Sequence, residues 1–287
     1  MQYLSPDSIE DAVRILSDQA NGCHVLAGGT DLLVRLRSGL TEPDVLMDIK
    51  RISELSRITR EPNGLRVGAA VSCAEMGEHA DLSAAWPGVV EAAGLIGSTQ
   101  IQGRATIAGN LCNASPAADS VPALVAANGV ARVVSAHGVR DVPVEDIPAS
   151  PGKTSLAAGE FLSSIFLPDQ PGRTGDAYLR FIPRTEMDIA VVGCGVALSL
   201  DAQGVCTSAR IALGAVAPTV VCVPEAAEAL VGTPVDDTAL ARVEEICSAA
   251  ARPITDKRGT AEFRTHVAGV LARRTAKIAA ARAGEKA

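Results

Sequence analysis

The run His24-Val-Leu-Ala27 is short, apolar and extended in pattern, and it stops at Gly28-Gly29. Leu32-Leu-Val-Arg-Leu36 then takes up helical spacing. Few backbone paths turn a strand into a helix over so few residues. Paired glycines open one, because without a Cβ they reach φ > 0 and let other groups approach the backbone closely. Asp44-Val-Leu-Met-Asp48 is extended again, so the opening reads as strand, glycine turn, helix and strand, a small α/β unit. A helix is expected before it, capped by Ser5 or Asp7, with Ile9, Val13 and Leu16 on one face.

Further along, residues 56–60 and 65–68 flank Pro62-Asn63-Gly64, and Asn-Gly is a strong hairpin signal. Residues 73–78 and 88–96 carry helical patterns. A second glycine-containing stretch, residues 103–119, leads into an apolar helix through Leu124. A further hairpin is predicted around His137-Gly138, from residues 130–134 and 139–143. Leu167-Pro-Asp-Gln-Pro-Gly-Arg-Thr-Gly175 is the predicted linker, dividing the chain into units of residues 1–172 and 176–287. Beyond it, residues 191–200 and 205–213 read as long strands. Pro224 opens a helix that Gly232 closes, and helices follow over 238–252 and 260–282. The last should turn Phe263, Val267, Val270 and Leu271 inward and a basic face outward.

With 287 residues, 47% of them hydrophobic, the chain can bury two compact cores. A net charge of -7 argues against nucleic acid or an anionic membrane surface as the main partner. No apolar run approaches the ~20 residues that span a bilayer. The opening Met-Gln-Tyr-Leu-Ser-Pro-Asp lacks the basic and apolar regions of a secretion signal, so a soluble cytoplasmic protein is expected. The 7 cysteines form no Cys-x-x-Cys pair, hence neither a disulfide framework nor a zinc or iron–sulfur ligand set, and no metal site is expected here. Aromatic residues are only 2% of the chain, so a planar cofactor would lie mostly between aliphatic groups and backbone.

The first glycine stretch, Val25-Leu-Ala-Gly28-Gly29-Thr30-Asp31-Leu32, can aim backbone N–H groups and a helix start, with Thr30 as its cap, at one anion. It matches neither the P-loop nor the Rossmann fingerprint, and Asp31 would repel a phosphate placed too near. Taken alone, the stretch therefore reads as a plain tight turn more often than as a ligand site. The second stretch contains Gly103-Arg-Ala-Thr106-Ile-Ala-Gly109-Asn110 and ends at Ser115-Pro-Ala-Ala-Asp119. Its amides, Thr106 and Asn110 suit a pyrophosphate, and Asp119 suits a sugar hydroxyl. The alternative is a packed loop whose Asp119 caps the next helix.

Together the two stretches resemble the flavoprotein subunit of the xanthine dehydrogenase and carbon monoxide dehydrogenase family. Its Ala-Gly-Gly-x-x-Leu is matched by Ala27-Gly-Gly-Thr-Asp-Leu32. Its second fingerprint is matched by Ile101-Gln-Gly-Arg-Ala-Thr-Ile-Ala-Gly-Asn110 followed by Ser115-Pro-Ala-Ala-Asp119. Leu46-Met-Asp48-Ile, Arg184-Thr-Glu-Met-Asp188-Ile-Ala and Pro253-Ile-Thr-Asp-Lys-Arg258-Gly-Thr-Ala are similar to further family segments in the same order. Ala108 stands where Gly is commoner, and the Cys-rich insertion of benzoyl-CoA-type relatives is absent.

The resemblance implies an α+β chain: a two-part FAD-binding domain of the vanillyl-alcohol oxidase type, then a small α+β domain with an antiparallel sheet and helices. It places the cofactor against Val25, Leu26, Ala27, Gly28, Gly29, Thr30, Asp31 and Leu32 on one side. Thr106, Ile107, Gly109 and Asn110 form the other, with Ser115 and Asp119 beyond them. Asp119 would contact the sugar-like chain of the flavin, and Ile96 and Leu162 complete the set, Leu162 near the flavin end. Such a subunit carries no catalytic residue of its own. Molybdopterin is implied on a large partner subunit and two 2Fe-2S clusters on a small one, in a dimer of heterotrimers, with electrons leaving through FAD to an external acceptor.

Two rivals remain open. A self-sufficient flavin oxidase or dehydrogenase would need an acid–base group beside the flavin, yet none of His24, His79, His137 and His266 lies in the second stretch. Covalent flavin attachment through a histidine or Cys112 is a variant of that reading. A flavin-free scaffold subunit is the other rival, against which the intact glycine stretches weigh.

Overall fold

The computed structural model describes residues 1–18 and 22–286. A short strand absent from the sequence reading, β1 (Gln2–Leu4), precedes α1 (Ile9–Asp18), β2 (Cys23–Leu26), α2 (Leu32–Arg37) and β3 (Val45–Asp48). β3 lies between β1 and β2, parallel to both and buried along its length, and α1 and α2 supply the crossovers that parallel pairing needs. The cap of α1 is neither Ser5 nor Asp7. Ser8 Oγ accepts the amide of Asp11 at 3.1 Å, while Ser5 Oγ donates to the Asp48 carbonyl at 3.4 Å and Asp7 pairs with Arg51 at 2.8 Å.

The next hairpin, β4 (Ile58–Glu61) and β5 (Gly64–Gly68), forms as expected but turns differently. Glu61 pairs with Gly64, so Pro62-Asn63 is the turn and Gly64 belongs to the strand. A Cβ on Gly64 would stand 2.2 Å from the Leu167 carbonyl oxygen, which is why glycine is needed there. Six short helices follow: α3 (Cys73–Glu78), α4 (Ala80–Ala85), α5 (Pro87–Ala93), α6 (Thr99–Gln102), α7 (Ile107–Cys112) and α8 (Ser120–Ala126). β6 (Val130–Ser135) and β7 (Gly138–Pro143) make the predicted hairpin, and β8 (Pro148–Ser150) pairs with β9 (Lys153–Thr154). β10 (Phe161–Pro168) then inserts between β5 and β6, giving an antiparallel sheet in the order β4-β5-β10-β6-β7.

The predicted linker is largely strand. β10 continues to Pro168, and β11 (Arg173–Phe181) starts after four residues, its Gly and Asp residues having hidden the extended pattern. β12 (Val192–Leu200), β13 (Cys206–Gly214) and β14 (Val221–Cys222) complete an antiparallel sheet in chain order. α9 (Pro224–Glu228), α10 (Asp237–Ala250) and α11 (Ala261–Glu285) follow. Gly232 does not close α9, which has already ended. Its φ of +79° lets its amide reach the Cys206 carbonyl at 2.8 Å, tying the loop to β13.

β12 shows how this sheet is covered. Val192, Cys194, Val196 and Leu198 face a core shared with α10 and α11, and the other face is small: Gly193, Gly195 and Ala197. That face lies directly under α8, where a Cβ on Gly195 would be 2.4 Å from the Pro122 carbonyl oxygen. α11 packs on β11 and β12 through Ala268, Ala272, Ala276 and Ala279. Val267 and Leu271 face inward as expected, but Phe263 is 42% exposed and stacks edge-on against Phe181 instead. The buried neighbour is Arg264, whose Nη atoms donate to Asp256 at 2.6 Å and to the Ala215 carbonyl at 3.3 Å. Among the described residues no helix is long and apolar enough to cross a membrane.

Two predictions follow from this packing. Gly195→Val should lower stability by about 1–3 kcal/mol in urea denaturation, as overpacking against backbone does. Gly77→Ala, where a Cβ meets nothing within 4 Å, should leave stability equal or higher; equal losses in both would contradict the account. Asp176 on β11 is buried, and burial pushes its carboxyl up to about 7 despite the nearby Arg282. The folded chain therefore holds this proton more tightly than the unfolded chain, so the group favours folding at acidic pH and that contribution is lost as pH rises toward 7. Asp176→Asn should flatten the fall in stability between about pH 4 and 7, and an unchanged slope there would refute it.

Candidate functional site

The two glycine stretches touch. A Cβ on Gly28 would stand 2.0 Å from the Arg104 carbonyl oxygen, so the first stretch lies against the second with no room for a side chain. The residue before it is tied down by β3: Lys50 Nζ donates to the Ala27 carbonyl at 2.9 Å and lies 2.8 Å from Asp48 Oδ1. Tyr3 of β1 donates its hydroxyl to Asp48 Oδ2 at 2.6 Å. Burial pushes the Asp48 carboxyl up, but the bonds from Lys50 and Tyr3 outweigh it and hold the group below its usual range. The Leu46-Met-Asp48-Ile segment thus fixes the end of β2. Gly29, at φ +79°, turns the chain into α2. Thr30 does not cap that helix. Asp31 occupies the cap position in helical geometry with no side-chain bond, and the Leu33 amide is met by the Gly29 carbonyl at 3.0 Å.

Between the stretches lies a cleft of about 340 Å³. The whole of the first stretch, from Val25 to Leu32, forms one wall, joined by Arg35. Thr106, Gly109 and Asn110 form the other, and Ile96 and Leu162 contribute apolar surface. Three expected residues stand behind the wall. Ile107 is in the core, Ser115 Oγ accepts the Ala117 amide at 3.3 Å, and Asp119 faces Tyr178 and Arg180. Asp119 does not cap α8 either, since its own backbone is helical and it makes no capping bond. Sequence reasoning missed Ala69, Asn113, Thr154 and Glu160 among the lining groups. Ala69 follows β5, Thr154 ends the two-residue strand β9 and Glu160 lies just before β10, where neither periodicity nor motif marks them.

The second wall offers neutral donors. Thr106 Oγ1 accepts the Gly109 amide at 2.9 Å, which leaves its hydroxyl hydrogen for the cleft. Asn110 Oδ1 accepts the amide of Ser120 at 3.1 Å and its hydroxyl at 2.7 Å. A backbone N–H can only donate, so this contact settles which end of the carboxamide is oxygen and leaves the NH2 group as the end available to a ligand. Titratable groups line the cleft: burial pushes the Asp31 carboxyl up, against the pull of Arg35. Burial, with Arg35, pushes the His24 imidazole down, and burial pushes the Cys112 thiol up to about 12. Arg140, bonded to Glu160 at 2.8 and 2.7 Å, holds that carboxyl below its usual range. Cys112 is therefore a thiol at neutral pH, a poor nucleophile for covalent flavin attachment.

Glycines that a Cβ would block, an apolar slot and uncharged donors fit a pyrophosphate-linked planar cofactor, and the comparisons agree. The family described as "FAD binding domain in molybdopterin dehydrogenase" matches residues 1–170, and "CO dehydrogenase flavoprotein C-terminal domain" matches residues 177–279. The xanthine dehydrogenase FAD-binding subunit of Escherichia coli is 31% identical over 286 residues, covering 99% of this chain and 97% of that one. The carbon monoxide dehydrogenase medium chain of Afipia carboxidovorans is 34% identical, covering 98% and 97%. A structure of CO dehydrogenase from Oligotropha carboxidovorans superposes with a TM-score of 0.93 at 33% identity, covering 98% of both chains. The FAD-binding domain and the antiparallel-sheet C-terminal domain implied by the sequence are both present, and the chain belongs to the family of FAD-binding medium subunits of xanthine and carbon monoxide dehydrogenase-type molybdenum hydroxylases, as an oxidoreductase component.

Proposed function

We propose that this chain holds FAD in the cleft between its glycine stretches and serves as the electron exit of a molybdenum hydroxylase. Its partners in this reading are a large molybdopterin-binding subunit and a small subunit with two 2Fe-2S clusters, assembled as a dimer of heterotrimers. The observation that carries the reading is the contact of Gly28 with Arg104, which brings both fingerprints to one cleft. When bound, the flavin supplies the redox chemistry, accepting electrons from the clusters and yielding them to an external acceptor.

The chain's own residues bind and orient. Amides of the Gly28 to Asp31 turn, the Thr106 hydroxyl and the Asn110 NH2 group serve the pyrophosphate, and Arg35 adds positive charge to the same wall. Ile96 and Leu162 give aliphatic cover to the planar end and exclude water from it. His24 and Glu160 are each held in one protonation state at neutral pH, so neither is poised as an acid–base catalyst. Relatives of similar identity are named for xanthine, carbon monoxide, nicotine and caffeine. That the match runs over nearly the whole chain in each case, whatever the named substrate, supports substrate oxidation on another subunit.

Purification with its co-expressed partners should give about one acid-releasable FAD per chain. Adding the substrate of the complex should bleach the flavin, whereas the isolated subunit should stay oxidised. A well-folded complex without flavin would overturn the reading and leave a scaffold role. Gly28→Ala, whose new methyl meets the Arg104 carbonyl, should yield chain that retains far less FAD; full retention would contradict the placement of the cofactor.

A further inference from the structure

Asp119 closes the second glycine stretch, yet its side chain turns away from the cleft. Oδ2 accepts Arg180 Nη1 at 2.8 Å, and Oδ1 accepts the Tyr178 hydroxyl at 3.3 Å. Both partners lie on β11, the first strand of the C-terminal sheet. The Arg180 side chain is only 4% exposed and that of Asp119 11%. A buried ion pair of this kind stabilises little more than apolar residues of the same size would, so its value lies in what it holds in place. The next residue answers that question. Ser120, the first residue of α8, gives its amide and its hydroxyl to Asn110 Oδ1, and Asn110 lines the cleft. The backbone is continuous from Asp119 to Ser120, so an anchor on one fixes the other.

We propose that Arg180 and Tyr178 are positioning residues for the flavin cleft: by clamping Asp119 they fix Ser120, and Ser120 holds the Asn110 carboxamide with its NH2 group toward the bound cofactor. The inference rests on FAD occupying the cleft. It makes the C-terminal sheet a working part of the flavin site, although no residue of that sheet lines it. Arg180 acts as a fixed cation and Asp119 as an ionised carboxylate in this arrangement. Burial pushes the Asp119 carboxyl up to about 6, against the pull of Arg180 and Tyr178, so the clamp is intact at neutral pH and lost in mild acid. Three other titratable or charged groups face this region. Cys194 of β12 stands behind Tyr178 and is a thiol, Glu91 of α5 pairs with Arg282 and accepts the Tyr178 amide at 3.4 Å, and Arg210 of β13 pairs with Glu145 and donates to the Val125 carbonyl at the far end of α8 at 2.7 Å.

The test measures FAD dissociation from the co-purified complex between pH 5 and 8, beside thermal unfolding of each variant. Wild type should lose affinity as pH falls through about 6. Arg180→Gln should bind FAD roughly tenfold more weakly at pH 7.5 and move the midpoint of the pH profile upward, because Asp119 then lacks its cation. Arg180→Lys should restore much of the affinity and return the midpoint toward the wild-type value. Folded Arg180→Gln with wild-type affinity and midpoint would overturn the inference, since a packing role alone moves neither. Should Arg180→Gln fail to fold, Asp119→Asn decides: a flat pH profile supports the clamp, and an unchanged midpoint overturns it. A wild-type complex with no FAD at any pH would instead remove the cleft reading on which the inference stands.

Discussion

The approach of the Gly28 α-carbon to the Arg104 carbonyl is the contact on which the rest of the site depends. It places the end of a parallel strand against the loop that opens α7, two segments far apart in the chain. Any side chain at residue 28 would drive them apart by about the size of a methyl group. The parallel sheet fixes one side of this contact through Lys50, whose ammonium grips the Ala27 carbonyl while Asp48 and Tyr3 orient it. The other side is fixed by the helices behind it, where Ser120 holds Asn110.

The same device, glycine at a close approach, joins the C-terminal sheet to the first part of the molecule. Gly195 and Gly214 leave space for Pro122, so α8 lies directly on β12 and β13. The sheet is therefore covered on both faces, by α8 on one and by the alanine-rich side of α11 on the other. Burial of charge follows from that geometry. Asp119 with Arg180, and Asp176 near Arg282, sit where the two layers meet and have lost most of their water.

Much of this was legible in the sequence. The strand–glycine–helix opening, both hairpins of the first part, the long strands after residue 191 and the family fingerprints all stand where their patterns put them. The failures have physical causes. β11 escaped because Gly175 and Asp176, chosen for contact with α11 and α5, look like loop residues. Pro62-Asn63 displaced Asn-Gly as a turn because Gly64 was needed beside Leu167. Phe263 is turned outward and Arg264 inward because Phe181 stacks on the one and Asp256 with the Ala215 carbonyl takes the guanidinium of the other. In the cleft, the walls follow from motif, whereas Thr154 of the short strand β9 and Glu160 of a connecting loop arrive through the tertiary fold.

Hydrogen exchange on the purified complex, with FAD retained and after its removal, tests the central claim most directly. If the cofactor lies between the two stretches, FAD should slow exchange in peptides spanning residues 25–32 and 104–113 together. Protection of only one stretch, or of neither, would contradict a cleft built from their contact.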